Sequence, residues 1–133
     1  MGSGLTQTFT GMYLDPAGIS DFASVRMLFN TSLNVANGCY VYYSPGTKLI
    51  SLYDNAGTAF MSPSITPGSS ATVSNNQCTL NGTGSSVSTS GDDLTLTVSL
   101  TFSGTFTAQK NVYLYAGGKS SNSGWTLEGT WTP

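Results

Sequence analysis

From Leu94 to Phe102 the chain alternates without interruption, with Leu94, Leu96, Val98, Leu100 and Phe102 on one parity and Thr95, Thr97, Ser99 and Thr101 on the other. Successive side chains of an extended chain point to opposite faces, so this segment offers an aliphatic face to a core and a hydroxylated face to water. No stretch sustains the apolar period of about 3.6 residues that an amphipathic helix needs. The chain is therefore constrained to fold as sheets, each strand hiding one side.

The remaining strands are shorter and set apart by turn chemistry. Leu5 to Leu14 reads as a first strand, broken by Asp15-Pro16-Ala17-Gly18, and the shared parity of Val25, Met27 and Phe29 predicts a second. After a turn from Asn34 to Gly38, Cys39 to Tyr43 and Lys48 to Tyr53 predict a hairpin around Ser44-Pro45-Gly46-Thr47. Gly57, Pro63, Pro67 and Gly68 break regular structure between Asp54 and Ser69, with Phe60 and Met61 expected to tuck back onto the core. Ala71 to Val73, Cys78 to Leu80 and Ser86 to Thr89 read as short strands, and Gly91-Asp92-Asp93 as an exposed turn into the Leu94 strand. Val112, Leu114 and Ala116 then alternate against Tyr113 and Tyr115, and Trp125 to Trp131 closes the chain. Many short strands spaced by turns predict an all-β sandwich or barrel, and the Asp15 turn, the hairpin and the long mid-chain crossing favour a sandwich of two antiparallel sheets joined by Greek-key links. At 133 residues the chain fits one domain, 5–133, behind a flexible segment 1–4.

With 8% charged residues and a net charge of −2, the surface has to be built from Ser, Thr, Asn and Gly. Arg26, Lys48, Lys110 and Lys119 are scattered, so no basic patch neutralises a run of phosphates, and nucleic acid and anionic membranes are excluded as partners. No apolar run approaches the ~20 residues that span a bilayer. The first residues lack a signal-peptide layout, and Met1 reads as a start placed before an excised module. Cys39 and Cys78 each fall in a predicted strand region of a Lys-poor chain, which favours a disulfide and an oxidising compartment; two separate buried thiols are the alternative. Without histidine or further cysteine, the usual tetrahedral zinc set has no donors.

Several segments together resemble the immunoglobulin-like modules of large, multidomain extracellular bacterial proteins. They are Asp15-Pro16-Ala17-Gly18-Ile19-Ser20-Asp21 leading into Val25 to Asn30, Asn37 to Tyr43, Leu52 to Ala59, Asn76 to Leu80, Lys110 to Ala116, and Gly129-Thr130-Trp131. The resemblance spans nearly the whole chain. It implies an immunoglobulin-like antiparallel β-sandwich with a Cys39–Cys78 bridge, located outside the cell or on its surface, and it implies no catalytic residues.

Candidate sites follow from residue chemistry. The acids Asp15, Asp21, Asp54, Asp92, Asp93 and Glu128 fall mostly in turns, and a glycosidase would need two of them, such as Asp54 with Glu128, facing each other across a cleft. Serine and threonine abound, but no histidine activates a hydroxyl and no Ser-x-x-Lys spacing replaces it. Asp15 and Asp21 flank a glycine-containing loop, a thin calcium motif whose plain alternative is an Asx turn. Lys110 is the lysine best placed for an autocatalytic crosslink to an amide or acid. Asn30-Thr31-Ser32 and Asn81-Gly82-Thr83 are glycosylation sequons.

The aromatics carry the main binding expectation. Tyr40 and Tyr42 lie opposite Cys39 and Val41, and Tyr113 and Tyr115 opposite Val112 and Leu114, so an inward bridge places all four tyrosines on one outer face. Trp125 and Trp131 join that platform or plug an end of the core. Flat rings with polar tips suit sugars or a neighbouring domain, whereas cross-strand tyrosines also stabilise sheets without binding anything. The expectation is a non-catalytic structural or adhesive module without cofactor or metal. Its partners are neighbouring domains of a parent protein or another surface protein, with carbohydrate binding and self-assembly into fibres as the alternatives.

Overall fold

The computed structural model describes residues 6–14, 22–61, 64–91, 93–102, 110–118 and 122–131. These residues form strands β1 (Thr6–Leu14), β2 (Phe22–Asn30), β3 (Cys39–Ser44), β4 (Leu49–Leu52), β5 (Thr72–Ser74), β6 (Cys78–Ser90), β7 (Asp93–Phe102), β8 (Lys110–Gly118) and β9 (Asn122–Trp131). A four-stranded sheet runs β1-β7-β6-β5 and a five-stranded sheet β4-β3-β2-β8-β9, with every pairing antiparallel. The chain crosses between sheets after β1, β4 and β7, so β1 lies beside β7 and β8 beside β2. No helix occurs among the described residues.

The alternating Leu94 segment is β7, held between β1 and β6. Its leucines, Val98 and Phe102 are buried, and its register with β1 runs unbroken from Thr6↔Thr101 to Leu14↔Asp93. The matching parity in β2 buries Val25, Met27 and Phe29. Phe9 of β1, Phe29 of β2 and Phe102 of β7 meet edge to face, with ring centroids 4.6 Å apart for Phe9–Phe29, 5.6 Å for Phe29–Phe102 and 5.9 Å for Phe9–Phe102. Each such contact contributes roughly 0.5–1.5 kcal/mol beyond the area it buries. One core cluster draws on strands of both sheets, so they are two layers around a shared interior.

The disulfide Cys39–Cys78 links β3 to β6, and hence one layer to the other, with Cα atoms 5.8 Å apart. Beside it the Asn75 amide donates to the carbonyls of Gly38 (3.2 Å) and Tyr53 (3.0 Å). Its oxygen accepts from the backbone N–H groups of Gln77 (2.8 Å) and Cys78 (3.0 Å).

Two sequence expectations change. Cys78 to Leu80 and Ser86 to Thr89 are parts of a single 13-residue strand, β6, whose register with β7 shifts between Asn81 and Ser86. Within the irregularity Gly84 has φ +87°, and the buried Ser85 hydroxyl donates to the Asn81 carbonyl at 2.6 Å while accepting from Ser99 N–H at 3.0 Å. A side chain thus stands in for missing ladder bonds, which an apolar-alternation reading does not register. Phe60 does not tuck onto the core: it is 48% exposed, and Met61 is the one packed inward. The reason is strand geometry, because Tyr53 and Phe60 form an isolated bridge beyond β4 and Phe60 meets the outward rings of Tyr42 and Tyr53.

The long segment after β4 seals one flank. Ile50 and Ile65 exchange backbone hydrogen bonds of 2.8 and 2.7 Å along the β4 edge, and Gly68 N–H donates to Gly82 O while Gly82 N–H donates to Ala71 O. The β3–β4 connection closes with Lys48 N–H donating to Ser44 O at 2.7 Å. Lys48 itself has φ +60°, a left-handed conformation that glycine adopts more cheaply.

Candidate functional site

β2 sets the site because its two parities face different worlds. Val25, Met27 and Phe29 enter the core, so Arg26 and Leu28 face out through the other side of the five-stranded sheet. Arg26 is in register with Tyr42 of β3 and Tyr115 of β8, and Tyr115 with Trp125 of β9. One row across four strands therefore reads Tyr42, Arg26, Tyr115, Trp125. The adjacent row reads Tyr40, Leu28, Tyr113, Leu127.

The Arg26 guanidinium carbon lies 4.9 Å from the Tyr42 ring centre and 4.7 Å from that of Tyr115. Its Nη1 donates to the Tyr40 hydroxyl at 2.9 Å and its Nε to the Ser24 hydroxyl at 3.3 Å. Around this cation Tyr40 stacks on Tyr53 at 4.0 Å, Trp125 meets Tyr40 at 5.5 Å and Tyr115 at 5.3 Å, and Phe60 meets Tyr53 at 4.7 Å. The planar guanidinium satisfies the negative faces of two rings and donates in its own plane, a combination a lysine ammonium lacks. Burial opposes the Arg26 charge, but the hydrogen bond to Tyr40 and the fields of Tyr40, Tyr53 and Tyr42 outweigh it, raising the Arg26 pKa. Burial, with Tyr40 beside it, pushes the Tyr53 hydroxyl up to about 12.

The structure brings Tyr40, Tyr42, Tyr113, Tyr115 and Trp125 onto one outer face, in two tiers. Tyr40 and Tyr113 are buried with Leu28 in a small cluster of their own. Tyr42, Tyr53, Tyr115 and Trp125 are half-buried, while Phe60 and Leu127 are the exposed apolar members. The sequence reading missed Arg26, Tyr53 and Phe60. Arg26 was open to discovery, since its parity opposes Val25 and Met27; Tyr53 and Phe60 depend on how the irregular segment folds back.

The outer face of the four-stranded sheet is chemically opposite. The Thr10 and Thr97 hydroxyls pair across β1 and β7 at 3.1 Å, Ser74 and Thr79 across β5 and β6 at 2.8 Å, and Asn81 donates to Thr101 Oγ1 at 3.2 Å. Met12, 66% exposed, is a large apolar side chain among these hydroxyls.

Other candidates have simpler settings. Asp54 caps its own loop, its carboxylate accepting from Thr58 N–H at 3.1 Å and Ala59 N–H at 3.4 Å, and these bonds hold its pKa below the ordinary carboxylate range. The side chain of Glu128 lies outside the described residues, as do Asp15, Asp21, Asp92, Lys119 and segment 1–4; Asp93 opens β7 opposite Ser90. Lys110 is buried at the start of β8, where desolvation lowers its pKa. Trp131 pairs with Lys110 at the end of β9, its side chain lying outside the described set. The Asn30 sequon amide is buried and donates to Asn34 O and Ala36 O, and that of Asn81 is bonded across to β7. Among the described residues no three His, Cys, Asp or Glu side chains gather as a metal set, and no helix is long and apolar enough to cross a membrane. Comparison with family models, curated proteins and solved structures returns no match.

Proposed function

We propose that this chain is a non-catalytic structural or adhesive module of a larger extracellular or cell-surface protein, built as an immunoglobulin-like sandwich with Greek-key connections. Its contact surface is the aromatic face of the five-stranded sheet. The observation that carries this reading is the asymmetry of the two outer faces, one paved with rings around Arg26 and the other with paired hydroxyls. Rings and a stacked arginine are the side chains enriched where proteins make contacts, because they bury area with few rotamers to freeze. The inter-sheet disulfide supports an oxidising setting, and the resemblance to bacterial extracellular modules points the same way.

The test is retention of the folded chain on arrays of immobilised extracellular proteins and glycans, against a Phe60→Ala, Trp125→Ala variant. We expect a retained partner that the variant, still folded at the assay temperature by its β-sheet circular dichroism, loses by about tenfold or more. A glycan hit would direct the face to carbohydrate; silence of the wild type on every surface would refute the contact reading.

A second reading rests on β1. Its nine residues carry no charge and no proline, keep an unbroken register with β7, and stand first in the order of the four-stranded sheet. Such an edge is a template for strand addition by another copy, leading to fibres. Sedimentation velocity across a wide concentration range tests it: growth abolished by Thr10→Pro supports pairing, and a constant monomer dismisses it.

A further inference from the structure

We propose that a cleft at the end of the molecule opposite the disulfide binds an acidic sugar, a pyranose carrying a carboxylate. The cleft measures about 520 Å³ and opens where β3 and β4 part from β6 and β7. That volume lies in the range of small-molecule sites, roughly 300–1,000 Å³. Its floor is apolar, with buried Tyr43 and Leu94, while exposed Thr66 and Thr89 bring hydroxyl-bearing side chains from two separate segments. A pyranose has the matching pattern, an apolar face of C–H groups edged by hydroxyls that both donate and accept.

Lys48 decides the charge. It lines the cleft from the β3–β4 turn, and its backbone sits at φ +60°, where a glycine would meet the same turn with less strain. A strained non-glycine residue points to use of the side chain rather than the turn. An ammonium-bearing side chain lining the same cleft as the hydroxyl-bearing Thr66 and Thr89 selects a ligand with one carboxylate and several hydroxyl groups, the carboxylate taking a charge-assisted hydrogen bond. This surface is separate from the aromatic face, so its failure leaves the contact reading untouched.

The test is an amide NMR titration with glucuronate, using glucose and benzoate as comparison probes, on the wild type and Lys48→Gly. Because glycine suits the left-handed turn, Lys48→Gly is expected to melt no lower than the wild type, keeping loss of binding distinct from loss of fold. We expect saturable glucuronate shifts at Lys48, Thr66, Ser88 and Thr89, with at least about tenfold weaker affinity in Lys48→Gly and for glucose. Absence of saturable shifts in the wild type, equal response to glucose, tighter binding of benzoate, or unchanged affinity in Lys48→Gly would each overturn the assignment.

Discussion

Asn75 shows how much of this fold depends on single polar side chains placed outside the strands. It satisfies the Gly38 and Tyr53 carbonyls and the Gln77 and Cys78 N–H groups, tying both layers together beside the bridge. Asn75→Ala leaves those groups without partners in partly buried surroundings, and is expected to lower stability by about 3 kcal/mol in urea melts. A loss under about 1 kcal/mol would mean water replaces the amide. Tyr53 gives a second residue-level expectation. A phenol whose pKa is raised from 10.0 to about 12 in the fold favours its neutral form there, so its contribution is fully present below pH 10 and is lost as the pH climbs towards 12. Spectrophotometric titration should show late-ionising phenols, Tyr53 and the buried Tyr43, that turn ordinary on unfolding. Asp54 works at the other end: its depressed pKa makes its stabilisation complete above the usual carboxylate range and lost on acidification. Neither Asn75 nor Lys48 was legible in the sequence, since the contacts of one and the backbone of the other are fixed by segments distant from them or by turn closure.

At the scale of strands, legibility followed alternation. β7 and β2 announce which side they bury, and β3 and β8 announce their outward tyrosines, because a period of two converts parity directly into a face. β6 hides from the same rule where Gly84 and Ser85 break the ladder, and the Phe60 position hides because a segment rich in glycine and proline has no period to read. The pairing of Arg26 with rings on both neighbouring strands yields a strand-level prediction. Arg26→Lys keeps a charge but loses the planar stack and the in-plane donors, and is expected to lower stability by about 1 kcal/mol. Arg26→Met, which keeps the bulk, separates packing from cation–ring attraction. Near-neutral melts for both variants would show that the rings hold the face without the cation.

Across the whole molecule, the two layers share one core and one covalent link, and the polar chemistry is divided between their outer faces. A bridge spanning a sequence separation of 39 is expected to contribute about 4 kcal/mol through restriction of the unfolded chain, so Cys39→Ala, Cys78→Ala should melt much lower while keeping its β-sheet circular dichroism. The sequence reading recovered two antiparallel layers and the outward tyrosines; it did not show that Tyr40 and Tyr113 are submerged in their own cluster, because burial on an outer face comes from neighbours on three other strands and a loop. The division of labour between faces is tested most directly by oxidative footprinting of the chain free and bound to the surface that retains it. Phe60, Tyr42 and Trp125 report on the aromatic face and Met12 on the hydroxyl face. Contact through the rings predicts that oxidation of Phe60, Tyr42 and Trp125 slows on binding while Met12 is unchanged; protection of Met12 with the rings left as reactive as before would contradict it.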